Sequence, residues 1–169
     1  MVVYNVLYTE LITRLAEKQC YVKYQKYVDI ACPTSEKNFV GDLPFGTNLD
    51  MSENNSFFGI YWRNEWGTRD FDLSVLDNEG RKIGWNSSYY SSDQDIVYSG
   101  DMTNANPEAT EIMLFKKGCS NGSVMINRYS GNDGSKFRIF AGTEDIVKLT
   151  KNYMVNPSNI KLQADCEST

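Results

Sequence analysis

Residues 70–80 decide the fold of this chain, and they read Asp-Phe-Asp-Leu-Ser-Val-Leu-Asp-Asn-Glu-Gly. Polar and apolar side chains alternate over residues 70–76, which is the period of a β-strand with one buried face. The last four residues are typical of a tight turn, because Asp and Asn favour turns and Gly tolerates positive φ angles. The stretch therefore predicts a strand that runs into a hairpin at residues 77–80.

Further segments of strand length lie on both sides of this hairpin. They are separated by turns that contain Gly, Asn, Asp or Pro, with no helical segments between them. Strands at such regular spacing predict an antiparallel β-sandwich. Near the end of the chain, residues 147–155 are compatible with a short helix and residues 160–162 with a last edge strand. The other predicted strands are residues 56–62, 81–85, 95–99, 110–115, 123–127 and 136–141.

The beginning of the chain has a different pattern. Residues 1–35 are interpreted as an N-terminal helical extension, and residues 36–169 as the β-sandwich domain. A helix is predicted from about residue 4 to residue 19, because apolar side chains recur there at helical spacing. Residues 20–30 are left open, since their pattern also fits the alternation of a strand. The apolar residues at helical spacing are Val6, Leu7, Leu11 and Leu15.

Composition and charge exclude several classes of partner. A chain of 169 residues, 41% of them hydrophobic, can bury a core without disulfides or a structural metal. Its net charge of −5 disfavours bulk nucleic acid and anionic membranes, because phosphate recognition needs a basic surface. The sequence contains neither an apolar run long enough for a membrane span nor an N-terminal secretory signal. We therefore expect a cytoplasmic protein with no nucleic-acid partner and no membrane span.

The residues on which catalytic sites most often depend are scarce. The chain has no histidine, which excludes a Ser-His-Asp triad, a Cys-His pair and a histidine-containing zinc site. We expect reduced thiols, with two extracellular disulfides as the alternative. The protein is expected not to be an enzyme, and a hydrolase that uses acids alone is the remaining catalytic alternative. The four widely spaced cysteines are Cys20, Cys32, Cys119 and Cys166.

Carboxylates are the candidate functional groups. Asp70 and Asp72 are two residues apart in one predicted strand, so both point to the same face. Because they alternate with apolar residues, we expect them on the solvent-exposed face or at its end. Asp101 follows Gly100 in a predicted loop between strands. Calcium takes about six to eight oxygen ligands, and these acids can supply several of them. The alternative interpretation is a set of hydrated surface acids and turn caps.

Three motifs, in this order, resemble the tellurium-resistance (TerD-like) domain family. They are the strand with Asp-x-Asp-Leu at residues 66–74, the Leu-Asp-x-x-Gly hairpin at residues 76–80, and the strand that ends in Gly-Asp at residues 97–101. The resemblance covers about residues 57–142. It implies a β-sandwich that binds calcium through acidic loops, in a bacterial or phage stress-response or defence setting.

The resemblance also implies a set of metal ligands, with two departures from the family pattern. Met102 stands where the family has asparagine after Gly-Asp, and residues 103–110 replace the Gly- and Asp-rich loop of the family. Fewer carboxylates imply weaker binding or the loss of a second ion site. The implied metal ligands are Asp70, Asp72, Asp101 and Glu111.

Two functions of different classes follow from these features. The leading expectation is a non-catalytic calcium-binding module, in which the ion orders loops that contact a partner protein. The alternative is a carbohydrate-binding β-sandwich, in which Trp66 and Trp85 form an aromatic platform for a glycan or another small ligand. The aromatic side chains also have a structural interpretation as core residues, which applies to Tyr61, Trp62 and Trp85.

Overall fold

The computed structural model describes residues 28–29, 39–40, 43–44, 48–77, 79–119 and 122–168. These residues are mostly β-structure, and the helix predicted over residues 4–19 lies outside them. The strands are β1 (Val28–Asp29), β2 (Phe39–Val40), β3 (Leu43–Pro44), β4 (Asn48–Leu49), β5 (Ser56–Arg63), β6 (Thr68–Asp77), β7 (Lys82–Gly84), β8 (Ile96–Tyr98), β9 (Glu108–Phe115), β10 (Gly122–Gly131), β11 (Lys136–Thr143) and β12 (Ile160–Glu167). Two short 3-10 turns occupy Asn64–Trp66 and Pro157–Asn159.

Most strands belong to two antiparallel sheets. The larger sheet has five strands in the order β12-β11-β5-β9-β8, and the smaller sheet has three in the order β10-β6-β7. Two short antiparallel pairs, β1 with β4 and β2 with β3, precede them. All seven strands predicted between residues 56 and 141 are present, and the predicted edge strand at residues 160–162 is the first part of β12.

The main core lies between the two sheets. Phe71, Leu73 and Val75 project from one side of β6 and are at most 1% exposed. They pack in one cluster with Ile60 and Trp62 of β5, together with residues of β7, β8 and β9. The alternation predicted for residues 70–76 therefore places Phe71, Leu73 and Val75 in the core, as expected for a sandwich-like fold.

A second apolar cluster covers the other face of the five-stranded sheet. Phe57, Ile112 and Phe140 of the sheet are buried there against Ile146, which follows β11. The segment between β11 and β12 is irregular, so the helix predicted over residues 147–155 is wrong. The side chain of Glu144 accepts hydrogen bonds from Tyr153, Asn156 and Asn159. These long-range hydrogen bonds stabilise an irregular backbone in place of a helix.

The hairpin predicted at residues 77–80 joins β6 to β7. Asp77 Oδ1 accepts hydrogen bonds from the backbone N–H groups of Glu79 and Arg81, both at 2.9 Å. Its Oδ2 accepts a hydrogen bond of 2.8 Å from Arg81 Nε. These donors lower the pKa of Asp77, with the backbone hydrogen bond from Arg81 as the main cause. The Asp77 carboxylate therefore stabilises the turn.

Candidate metal centre

Strand β6 and the loop after β8 bring three aspartates together. Asp70 and Asp72 alternate with the core residues of β6, so they point away from the space between the sheets. Asp101 follows Gly100, whose φ angle of 109° favours glycine and lets the chain turn sharply after β8. Carboxylate oxygens of Asp70, Asp72 and Asp101 all lie within 4.8 Å of one another. The structure therefore assembles three of the four predicted ligands.

The burial of these acids differs from the expectation of a solvent-exposed face. Asp70 is 7% exposed and Asp72 is 3% exposed, whereas Asp101 is half-buried. The loop that carries Asp101 lies against β6, and Asn127 of the neighbouring strand β10 donates a 3.2 Å hydrogen bond to Asp72 Oδ2. Contacts between segments distant in sequence therefore bury two residues that the strand pattern alone places in water.

Two oxygens of the cluster lack a donor. Asp70 Oδ1 and Asp101 Oδ1 are buried, and neither accepts a hydrogen bond from any residue that the structure describes. Leaving a buried carboxylate oxygen without a donor or a cation is unfavourable, because it loses its interactions with water. Asp70 is more than nine-tenths buried, so the free-energy cost of an unpartnered oxygen is larger for Asp70 than for Asp101.

The pKa values of these acids also indicate an excess of negative charge in the cluster. Burial raises the pKa of Asp70 to about 6, and the negative charges of Asp72 and Asp101 add to the rise. Burial also raises the pKa of Asp72, although the hydrogen bond from Asn127 and the charge of Lys82 oppose it. Three acids in one small volume repel one another unless a proton or a cation is present. A bound cation would remove this repulsion at neutral pH.

The donor set and its spacing fit a hard cation. Carboxylate oxygens suit ions such as Ca²⁺, Mg²⁺ and Mn²⁺. Calcium lies about 2.3–2.6 Å from its ligands, so two oxygens on opposite sides of the ion are about 4.6–5.2 Å apart. The observed separations, all within 4.8 Å, fit a single hard cation held between the three carboxylates.

Glu111, the fourth predicted ligand, has a different environment. It lies on β9, is fully buried, and points into the space between the sheets. Its Oε2 accepts a 2.8 Å hydrogen bond from the backbone N–H of Leu73, and its Oε1 accepts one of 2.7 Å from that of Met102. Burial raises the pKa of Glu111 to about 8, although the Tyr98 hydroxyl and these two backbone N–H groups oppose the rise. Glu111 is not among the acids whose oxygens lie within 4.8 Å of one another.

The two candidate tryptophans occupy different places. Trp66 ends the 3-10 turn after β5, and its ring meets that of Tyr61 edge-on, with 5.4 Å between centroids. Trp85 follows β7, with Lys82 Nζ 5.2 Å from its ring centroid and the Tyr129 ring at 6.3 Å. Both tryptophans are half-buried and pack against the main core. Of the two, only Trp85 contacts Lys82, whose charge lowers the pKa of Asp72.

Asn127 is a site residue that the sequence analysis missed. It contacts Asp72 because β10 pairs with β6 in a register that sets these two residues side by side. They are 55 positions apart in the chain, so no local motif links them. The only signal in the sequence is a polar residue within an alternating strand, and that signal is not specific.

Two further observations bear on the expectations about compartment. No helix within the described residues is both long and apolar enough to cross a membrane. Cys119 and Cys166 form no disulfide within the described part of the chain. Cys20 and Cys32 lie outside it.

Comparison with models of protein families finds no match, and neither the curated proteins nor the solved structures contain a match to this chain. The resemblance to the TerD-like family therefore still depends on the three motifs. The site itself is defined by the geometry of Asp70, Asp72 and Asp101.

Proposed function

We propose that this protein is a non-catalytic calcium-binding interaction module, in which Asp70, Asp72 and Asp101 hold one Ca²⁺. The observation that carries the proposal is Asp70 Oδ1, a buried carboxylate oxygen without a donor among the described residues. It lies in a cluster of three acids whose spacing accommodates calcium. A hard cation supplies what the cluster lacks, which is positive charge close to oxygens that water does not reach.

The ion would connect two parts of the fold. Asp70 and Asp72 belong to a strand of the smaller sheet, whereas Asp101 belongs to the loop between β8 and β9 of the larger sheet. Binding would therefore fix this loop, residues 99–107, against β6. Thr103, Asn104 and Asn106 of the loop are exposed, and they are available to contact a partner protein once the loop is ordered.

The resemblance to the TerD-like family supports this function and suggests its setting. The three acids at the ion site stand at positions that the motifs of that family assign to calcium ligands. The setting that the resemblance implies is bacterial or phage stress response or defence, and we propose the cytoplasm as its location.

A calcium titration tests the proposal. A ligand that binds only the folded state stabilises it by mass action, so calcium should raise the melting temperature of the wild-type protein. Asp72→Asn should abolish most of this shift, because it removes a negatively charged ligand without changing the size of the side chain. Asp145→Asn is the matched control, since Asp145 is exposed and outside the cluster, and it should keep the whole shift. A wild-type melting curve that millimolar calcium does not move would overturn the proposal.

A glycan-binding function is the second candidate, favoured by the aromatic pair of Trp85 and Tyr129. Tyr129 is 69% exposed and lies next to Trp85. Sugar rings stack on such side chains, and sugar hydroxyls also bind calcium. A glycan array, probed with the wild-type protein and with Tyr129→Ala, separates the two functions. Glycan binding that disappears in Tyr129→Ala would favour the second candidate, and an array without binding would count against it.

A further inference from the structure

Glu111 joins the two segments that supply the carboxylates. It accepts hydrogen bonds from the backbone N–H groups of Leu73, at 2.8 Å, and Met102, at 2.7 Å. Leu73 directly follows Asp72, and Met102 directly follows Asp101. One side chain therefore holds the neighbours of two acids that come from different sheets.

The position of Glu111 in the fold makes this connection rigid. Strand β9 lies between β5 and β8 in the five-stranded sheet, and Glu111 is fully buried within it. In the smaller sheet, β7 pairs only with residues 74–76 of β6. Leu73 thus lies just beyond the end of that pairing, and the Glu111 carboxylate accepts the hydrogen bond from its N–H group. Both oxygens are engaged by backbone donors, so each defines a distance between β9 and another segment.

We infer that Glu111 is a positioning residue of the carboxylate site, which sets the separation of Asp72 and Asp101 and through it the affinity for Ca²⁺. The inference rests on the proposed function. Its physical basis is preorganisation, because a loop that Glu111 already restrains at Met102 loses less conformational freedom when the ion fixes the rest of it. Glu111 then contributes to affinity without contacting the ion.

The first experiment measures the dissociation constant for Ca²⁺ by calorimetry in the wild-type protein and in Glu111→Gln. A glutamine side chain has one carbonyl oxygen and one amide NH₂ group, so it replaces one acceptor by a donor. It can hold only one of the two backbone N–H groups in the present geometry. We expect Glu111→Gln to weaken calcium binding at least tenfold, which corresponds to about 1.4 kcal/mol.

A control separates positioning from a general loss of stability. Ile112 is the next residue of β9 and is equally buried, but it points to the opposite face of the sheet. The control is the Ile112 variant whose melting temperature matches that of Glu111→Gln. Ile112→Val is used for a small loss of stability and Ile112→Ala for a larger one. We expect the matched control to bind calcium within twofold of the wild type. A control that loses as much affinity as Glu111→Gln would overturn the inference.

A double-mutant cycle separates positioning from direct coordination. If Glu111 acts by holding Asp101 in place, Glu111→Gln should change the dissociation constant less than twofold in a protein that already carries Asp101→Ala. If Glu111 coordinates the ion, its loss should weaken binding by the same factor in both backgrounds. That additive result would overturn the positioning role and make Glu111 a ligand.

The remaining outcomes are also decisive. Should Glu111→Gln fail to fold, Glu111→Asp replaces it, because its shorter side chain keeps both oxygens but cannot reach both N–H groups. Hydrogen exchange in calcium-free buffer should then show faster exchange of the Leu73 or Met102 amide. Wild-type protein that binds no calcium would overturn the proposed function, and the role of Glu111 with it. Wild-type and Glu111 variants that bind calcium equally would overturn only the role of Glu111.

Discussion

The two ends of strand β6 carry aspartates with opposite environments. At the hairpin end, both oxygens of Asp77 accept hydrogen bonds from N–H donors, and its pKa is lowered. At the other end, Asp70 Oδ1 has no donor among the described residues, and the pKa of Asp70 is raised to about 6. The residue type and the strand are the same, so the difference comes from the groups that surround each carboxylate. An acid whose acceptors are all satisfied stabilises the turn, whereas an acid with unsatisfied acceptors among other acids is suited to bind a cation.

The largest expected effect is on calcium affinity. Asp101→Ala should weaken calcium binding at least tenfold, a loss of about 1.4 kcal/mol, because it removes a ligand from the loop after β8. Asp77→Ala should leave the affinity within twofold. Asp77 is seven positions beyond Asp70, and at about 3.3 Å per residue an extended strand places them about 23 Å apart. Calorimetric titration of both variants tests the contrast, and equal losses would show that the two ends of β6 do not differ as described.

The next effect is that of Asp70 on the free energy of unfolding of the calcium-free protein. The pKa of Asp70 in the folded protein, about 6, lies above its value of about 4 in the unfolded chain. The folded state therefore binds the proton of Asp70 more tightly than the unfolded chain does. Above pH 6 the charged carboxylate lowers the free energy of unfolding, and this stability is recovered as the pH falls through 6 towards 4. Asp70→Asn should therefore stabilise the calcium-free protein at pH 7 by about 1 kcal/mol, allowing for screening by water.

Urea unfolding in the presence of a chelator measures this effect at pH 7 and at pH 4. The advantage of Asp70→Asn should shrink at the lower pH, where Asp70 of the wild type is itself protonated. The pKa of Asp77 is lowered, so the dependence of stability on pH has the opposite sign. The Asp77 carboxylate stabilises the fold at pH 7, and this stabilisation is lost in acid. An Asp70→Asn variant that is less stable than the wild type at pH 7 without calcium would contradict the assignment of unfavourable charge to this site.

The smallest expected effect is the difference between alanine substitutions at two glycines, Gly80 and Gly100. Gly80 of the hairpin has a φ angle of 75°, and an added Cβ atom would meet no other atom within 4 Å. Gly80→Ala should therefore cost only the backbone strain of a left-handed residue, about 1 kcal/mol, and leave calcium affinity unchanged. At Gly100, which directly precedes Asp101, an added Cβ atom would lie 2.9 Å from the Lys151 side chain.

Thermal unfolding and calcium titration of Gly80→Ala and Gly100→Ala test this difference. We expect Gly100→Ala to lower both stability and calcium affinity, because the strained residue directly precedes a ligand. A Gly80→Ala variant with reduced calcium affinity would mean that the hairpin and the ion site are coupled along β6.

The sequence by itself determined the strands and the hairpin. Residues 70–76 alternate with the period of a strand, and Phe71, Leu73 and Val75 lie in the core as predicted. The turn at residues 77–80 also follows from the sequence, because Asp and Gly satisfy the local geometry of a hairpin. Local patterns carry this information because side-chain direction in a strand changes with every residue. The same alternation placed Asp70 and Asp72 on one face.

Only the tertiary structure decided how the acids are surrounded. The burial of Asp70 and Asp72, the contact with Asn127 and the hydrogen bonds of Glu111 all join residues from different strands. The short helix with which residues 147–155 are compatible is absent for the same reason. Hydrogen bonds to Glu144 and burial against the sheet hold this segment in an irregular conformation. Strand register and loop placement depend on the packing of the whole domain. A local pattern shows which way a side chain points, and packing decides whether it meets water, a donor or another charge.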